Sequence, residues 1–569
     1  MKNSLYDSYI RAIKWASLRI ADRGVVAFVT NGGWLDSNTA DGMRLCLANE
    51  FSDIHILNLR GNQRTAGEQS RKEGGKVFGG GSRATVAVTI LVKDPNRSGA
   101  ARIHYTDIGD YLIREDKLAK IETAERLSAL EPVTLITPNA DGDWLNQRRD
   151  DFGTFLPIGD KEDTSIFALY SGGLKTNRDA WVYGSSRAAV GESMARLIRN
   201  YEIERDAIRR DARHVLNRDS RDLAWDVSAE QAVARDQRRE FSQDAIRTSI
   251  YRPFHRQRSY FHTEWNPRQG RLKDLFPTRD HSNVGFYALN PGAEKPFAAL
   301  AVDQVPDLAL YGSNAGQLFA RWRYEKVEAD EGMLAFDSAD CGHLVDGYRR
   351  IDNITDHALA TFRAAYGERI TKDDVFFYTY GLLHSPEYRE TYAADLKKML
   401  PRVPLVTDSW PYVEAGRRLS ELHLGYETVD PYPLVGLDDS TPTGDAAYDH
   451  FRVDKMSFAK VRDPETKKLV ADRSTVIYNS RITLSGIPED AYRYMLGSRS
   501  AVEWIIDRYQ VKTDNASGIV NDPNDWSREV GDPRYIIDLL ARIVTVSLET
   551  MAVVDALPPL EIRPGPVSR

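Results

Sequence analysis

The stretch that most limits what this chain can become is its opening, SLYDSYIRAIKWASLRIADRGVVAFVTNGGWLD. Leu5, Tyr9, Ile13, Ala16 and Ile20 recur at helical spacing, and VVAFVT (residues 25–30) follows as a continuous apolar run. Ser4, with Asp7 three residues on, is arranged like a capping box, and Gly24 is placed to close the helix in a left-handed conformation. A second amphipathic segment carries Met43, Leu47 and Phe51. It leads to a strand at residues 54–59 and, after a long connection rich in glycine and charge, to another at residues 85–92. Helices alternating with short apolar strands predict a mostly parallel sheet covered on both faces, with VVAFVT buried on both of its own. Such sheets bind ligands at the carboxyl ends of their strands. A long connection in a compact domain is functional or disordered.

Composition sets the outer limits. The 569 residues allow three or four domains, and no apolar run reaches the length a membrane helix needs. The N-terminal residues lack the apolar core of a signal peptide. Two distant cysteines, Cys46 and Cys341, exclude a disulfide framework and a cysteine zinc site and suit a reducing, cytoplasmic setting. The net charge of −7 means that any nucleic-acid site must be a local patch. Beyond residue 95 the pattern changes. A stretch rich in Asn, Asp, Gly and Pro gives way to an arginine-dense, lysine-free segment at residues 187–258. Short apolar runs NVGFYAL, FAALAV and LALYG read as strands. Residues 373–405 read as two helices broken at Ser385-Pro386, and residues 492–511 and 534–557 as further helices. The chain has no Gly-x-Ser-x-Gly elbow, no phosphate loop and no His-Glu-x-x-His zinc motif, and Cys341 with His343 does not make a metal site.

The ordered series SLYDSYIRAIKWA, GVVAFVTNGGWLD, LRGNQRT…RKEGGKVFGGGSRATVAVTILVKD, GDWLNQR, YRPF, FYTYGLLHSPEYR…PRVPL and LGSRSAVEWIIDRYQVKTD resembles the C-terminal part of type ISP restriction-modification enzymes. Those are single polypeptides joining nuclease, helicase-like translocase, adenine-specific methyltransferase and target-recognition domain. The resemblance covers nearly the whole chain. It implies an α/β fold: the C-terminal half of a Rossmann-like methyltransferase sheet over residues 1–130, then a mixed α/β target-recognition region with a helical C-terminal part over residues 131–560, and a tail at 561–569. In the family a cofactor-binding glycine motif and an Asn-Pro-Pro-Tyr tetrapeptide precede the helix that matches the opening here. DPYPLVG and LPPL, the nearest look-alikes, stand far downstream. The resemblance therefore implies a chain that grips duplex DNA and presents an adenine, with S-adenosylmethionine bound by the complete enzyme and not by this chain alone. Its partners are double-stranded DNA and an upstream nuclease, translocase and methyltransferase segment, in the same polypeptide or a separate one.

The candidate residues each stand beside a plainer reading. Phe78, in the glycine-rich connection, either stacks on a flipped-out base or anchors a loop cluster. Tyr6 and Tyr9 on the first helix, and Asn31, Gly32, Gly33 and Trp34 after the first strand, either line a cofactor and adenine pocket or belong to core and turn. Arg60, Arg64, Arg71, Lys72, Lys76 and Arg83 either meet phosphates as the connection closes on DNA or form a solvated charged loop. Arg252, Arg256 and Arg258, interleaved with Tyr251, Phe254, His255 and Tyr260, either read guanines or pair with nearby acids in a structural strand. Three classes of protein stay open: a DNA-recognition module working with a catalytic partner, an inactive fragment with an exposed sheet edge, and an unrelated α/β hydrolase, for which the sequence offers no nucleophile and base.

Overall fold

The computed structural model describes residues 3–64, 67–80, 83–126, 129–160, 164–266, 268–293, 295–312, 314–327, 344–436, 442–464 and 467–564. Cys341 and His343 lie outside them. The chain forms two compact units. The first is Met1–Thr154 with Pro291–Pro296 and Thr391–Pro401; the second is the remainder.

In the first unit, helix α1 is Ser8–Ser17, shorter than the span expected from Ser4 to Gly24. Asp7 stands at its N-terminus without a side-chain cap bond. At the other end the Ser17 hydroxyl bonds back to the Lys14 carbonyl at 3.0 Å, and the Arg19 N–H turns to the Ala16 carbonyl, which tightens and ends the helix. Gly24 is instead the first residue of strand β1 (Gly24–Asn31). Helix α2 (Asp41–Glu50) and strand β2 (Asp53–Arg60) follow, then the short helix α3 (Gly67–Glu73), strands β3 (Val86–Lys93) and β4 (Arg102–Asp107), helix α4 (Arg114–Ala124) and strand β5 (Val133–Ile136).

The strand order is β1-β3-β2-β4-β5, and the sheet is mostly antiparallel, against expectation. Only β2 and β4 pair in parallel; β3 runs antiparallel to both β1 and β2. The α2 crossover does set β1 and β2 in the same direction. The connection after β2 makes no such crossover, so the chain re-enters at the end it left and β3 slots between them reversed. Strand β1 is thereby an edge strand with one face open: Val25 is 62 % and Val29 53 % exposed, whereas Val26 is in the core. One core holds Ile13 and Leu47 of the helices and Phe51 just after α2 against Val26, Ile54, Ile56 and Leu91, and a second holds Leu57, Leu59, Val77, Ile108 and Leu130.

The second unit has two four-stranded sheets, one centred on the hairpin Ile246–Arg252 and His255–Tyr260, the other on Gly285–Leu289. LALYG is a turn and not a strand, because the Asp307 carboxylate accepts from the Ala309 N–H at 2.9 Å and bends the chain. The break at Ser385-Pro386 is present between helices Lys372–Leu382 and Pro386–Thr391. Helix Lys372–Leu382 lies against Trp410–Leu424 through two glycines. A Cβ on Gly381 would stand 2.1 Å from the Tyr412 carbonyl oxygen, and one on Gly416 would stand 1.9 Å from that of Phe377. Residues 492–511 hold a shorter helix than expected, Ala501–Arg508, started by a capping box between Ser500 and Glu503. Helix Tyr535–Asp555 buries Ile536, Leu540, Ile543 and Val544. No helix among the described residues is long and apolar enough to cross a membrane.

Candidate nucleic-acid interface

The connection between β2 and β3 is pinned at its centre. Arg60 and Gly61 both have positive φ, 55° and 89°, and turn the chain out of β2. The Gly61 N–H then donates to the Glu73 carbonyl at 3.1 Å. Gly74 and Gly75 lie against residues 112–114. A Cβ on Gly74 would stand 2.1 Å from the Leu112 carbonyl oxygen, and one on Gly75 2.8 Å from the Arg114 nitrogen, so only glycine fits. The buried Lys117 ammonium donates to the Glu73 and Gly75 carbonyls at 2.8 and 2.9 Å. Burial lowers its pKa, and Glu73 works against that shift. Arg114 Nε holds the Val77 carbonyl at 2.9 Å. Val77 is buried in the second core, while its neighbour Phe78 is 55 % exposed. A rigid base thus presents one aromatic ring outward.

The basic residues of this connection divide. Arg60 is ion-paired with Asp107 at 2.6 Å and Asp110 at 2.5 Å. Arg64, Arg71 and Arg83 are exposed; Lys72 and Lys76 are half-buried. The turn after β1 meets the end of the same connection, where the Gly32 N–H donates to the Thr85 carbonyl at 3.0 Å. Asn31 accepts from the Gly33 N–H at 2.8 Å, so its amide oxygen is engaged in the turn. Gly32 is buried, with Ala87 and Thr85 where a Cβ would go. Trp34 is 1 % exposed and packs edge-on against Trp144 at 5.4 Å. Tyr6 is exposed. Tyr9 is half-buried, and burial followed by Asp7 pushes its pKa up to about 12. Of the residues expected to wall a cofactor pocket, Gly32 and Trp34 are buried and Asn31 accepts a bond within the turn.

Beneath that turn lies a buried ionic network that residue spacing did not reveal. Arg44, 0 % exposed, donates to the carbonyls of Trp34, Ser37 and Gly142 at 2.7–2.8 Å. Asp143, also 0 % exposed, meets Arg148 at 2.8 Å, Lys398 at 3.0 Å and Arg44 at 3.5 Å. Burial raises the Asp143 pKa, but hydrogen bonds from Arg148, Lys398 and Asn139 outweigh it and hold the carboxyl well below the usual range. On the sheet, His55 and His104 stack at 4.4 Å beside Asp53, the group among the described residues with the donors for a metal ion. Arg97 and Arg102 already hold the Asp53 carboxylate at 2.9 and 2.8 Å, which opposes a cation there.

In the second unit the YRPF turn joins the central hairpin, with Phe254 buried at a φ of 55°. Its three arginines all pair with acids: Arg252 with Asp307 at 2.7 Å, Arg256 with Glu427 at 2.7 Å and Asp303 at 3.3 Å, and Arg258 with Glu529 at 2.6 Å. Strand alternation places His255, Gln257 and Ser259 on the other side from Arg256 and Arg258. That side lines a cavity; period-two spacing alone would have singled it out.

The family model for the Type ISP C-terminal specificity domain matches residues 165–539. Solved structures are similar over the whole length. A nuclease-deletion mutant of the Type ISP restriction-modification enzyme LlaGI in complex with a DNA substrate mimic is 38% identical, with a TM-score of 0.81 over 98% of this chain and 41% of that one. The ATP-dependent Type ISP restriction-modification enzyme LlaBIII bound to DNA is 34% identical, with a TM-score of 0.82 over 99% of this chain and 34% of that one. A DrdV–DNA complex is 29% identical, with a TM-score of 0.78 over 98% of this chain and 53% of that one. The chain spans between 34% and 53% of the length of these solved relatives. Comparison with curated proteins finds no match. The match over 165–539 takes in most of the second unit, and the chain belongs to the Type ISP C-terminal specificity domain family.

Proposed function

We propose that this chain is the DNA-recognition part of a site-specific adenine-N6 methyltransferase of a restriction-modification system, working with an upstream segment that carries the cofactor site and the catalytic tetrapeptide. The observation that carries the reading is the likeness, over 98% of this chain and at 38% identity, to a Type ISP enzyme solved on a DNA substrate mimic. The first unit supplies compatible chemistry. Phe78 is exposed on a pinned loop whose flanks carry the exposed Arg64, Arg71 and Arg83, the arrangement needed to meet phosphates and stack on an unpaired adenine. S-adenosylmethionine is the methyl donor of the complete enzyme in this reading. The first unit serves as the partial methyltransferase domain and the second as the recognition region.

The test is selection of duplexes by the purified chain from a random pool, followed by titration at rising salt. Enrichment of one sequence, with affinity falling steeply as salt rises, is the expected result. No enrichment, or salt-independent binding, would falsify the reading. Labelled methyl transfer to DNA by the chain alone would overturn its division of labour.

A further inference from the structure

Gln257 is 1 % exposed, and among the described residues neither its amide oxygen nor its amide nitrogen has a hydrogen-bond partner. The same holds for the ring nitrogen Nδ1 of His255, 3 % exposed, and for Nε of Arg508. All three residues line one cavity of about 170 Å³ in the second unit. Tyr183 and Tyr251, their rings 4.7 Å apart, and His255, 4.7 Å from the Tyr509 ring, give it aromatic walls. Burial, then Arg508 and Arg252, lowers the His255 pKa to about 3, so the ring is neutral.

Buried amides without partners are rare and unfavourable, and each calls for an explanation. Size narrows the occupant: a cavity of about 150 Å³ accepts one benzene ring. The exposed chemistry narrows it further. A side-chain amide offers a donor beside an acceptor, the pattern that matches the edge of a nucleobase. Asp179, Asp507 and Asp514 also line the cavity, against Arg508 and Lys512, which disfavours a phosphate inside and suits an uncharged heterocycle. Depth decides between a base in the duplex and one out of it. A side chain that reads a groove must project into it, and Gln257 lies at the bottom of an indentation, so a base reaches it only by leaving the stack.

We propose that this cavity receives an extrahelical nucleobase of the bound DNA, with Gln257 pairing to its edge and Tyr183, Tyr251 and His255 forming its walls. It is a second base position, separate from the adenine assigned to Phe78. The proposal rests on the DNA-recognition reading.

The test uses the full chain and a duplex it selects from a random pool. Each base is kept in turn while its opposite is changed to a mismatch. A base already unpaired costs less to extrude, so binding tightens by about tenfold at the position that enters the cavity. Gln257→Leu should abolish that tightening, and so should Ile519→Trp, which fills the cavity from a half-buried position and serves if the first variant fails to fold. Tightening that survives in both variants means the base goes elsewhere and overturns the proposal. No tightening at any position, with selective binding intact, overturns it while leaving DNA recognition standing. Failure to select any duplex removes the reading beneath it as well.

Discussion

Lys117 Nζ lies 2.8 Å from the carbonyl oxygen of Glu73, and this contact, with its neighbour at Gly75, fixes the base from which Phe78 stands out. A buried ammonium that donates to two carbonyls is spent on backbone geometry. Lys117→Met fills a similar volume but takes the ammonium from the Gly75 carbonyl, at a cost of about 1–3 kcal/mol, while the Glu73 carbonyl keeps the Gly61 N–H. Hydrogen exchange should therefore accelerate at the amides of residues 73–78 while β2 and β3 stay protected. Unchanged exchange there would show that Gly74 and Gly75 hold the loop unaided.

Under the proposed function, a flipped adenine stacks on the exposed ring of Phe78. Stacking on an aromatic ring is worth about 1–3 kcal/mol. With the upstream segment supplied, Phe78→Ala should lower methylation by about tenfold or more and duplex affinity much less. Equal loss of both, or loss of neither, rejects the stacking role.

Charge separates the two arginine groups. Arg71 and Arg83 are exposed on the connection that carries Phe78, while Arg256 and Arg258 are half-buried against acids. Each phosphate contact contributes about 0.9 to the slope of log affinity against log salt. The double variant Arg71→Ser, Arg83→Ser should flatten the slope by about 2. Arg258→Ala should leave the slope unchanged. A flatter slope for Arg258→Ala would mean that DNA displaces Glu529 from it.

These divisions were legible in the sequence only in part. Helix α2, the strands at residues 54–59 and 85–92 and the break at Ser385-Pro386 are visible because apolar spacing and proline act locally. The direction of β3 is not, since it depends on which end of the sheet the connection regains. The end of α1 was hidden because Ser17 and Arg19 make bonds that spacing does not encode. In the second unit, YRPF and the arginines after it mark a hairpin, yet their partners Asp303, Asp307, Glu427 and Glu529 are remote in the chain. An interleaved Arg and aromatic pattern looks the same whether its charges meet DNA or carboxylates.

Arg252 carries a consequence for pH. Burial raises the Asp307 pKa to about 6, with Arg252 working against the rise and Asp179 adding to it. An unfolded Asp titrates near 3.9. Between about 4 and about 6 the folded state holds a proton that the unfolded state has lost, so this group makes stability fall as pH rises through that window. Arg252→Leu removes the counter-charge and extends the window upward. The variant should lose most stability at pH 7–8 and recover part of it at pH 5, read as melting temperature against the parent. A loss independent of pH would place the effect in packing and not in Asp307.

Asp143 has the opposite sign. Its folded pKa is depressed below the unfolded value near 3.9, so its contribution is fully present above that value and is lost as pH falls below it. At neutral pH, Asp143→Asn leaves Arg44, Arg148 and Lys398 without their shared carboxylate, and breaking a buried pair costs about 3–5 kcal/mol. Arg44→Met removes one cation and three backbone bonds under the Trp34 turn, at a comparable cost. Because both changes act on one network, the double variant should lose less than the sum of the singles. The first unit should unfold at lower denaturant in each, and the gap between parent and Asp143→Asn should begin to narrow as pH drops below 4 and persist in part at pH 3. A gap that does not narrow at all below pH 4, or strict additivity of the two losses, would mean that Asp143 and Arg44 support the turn independently.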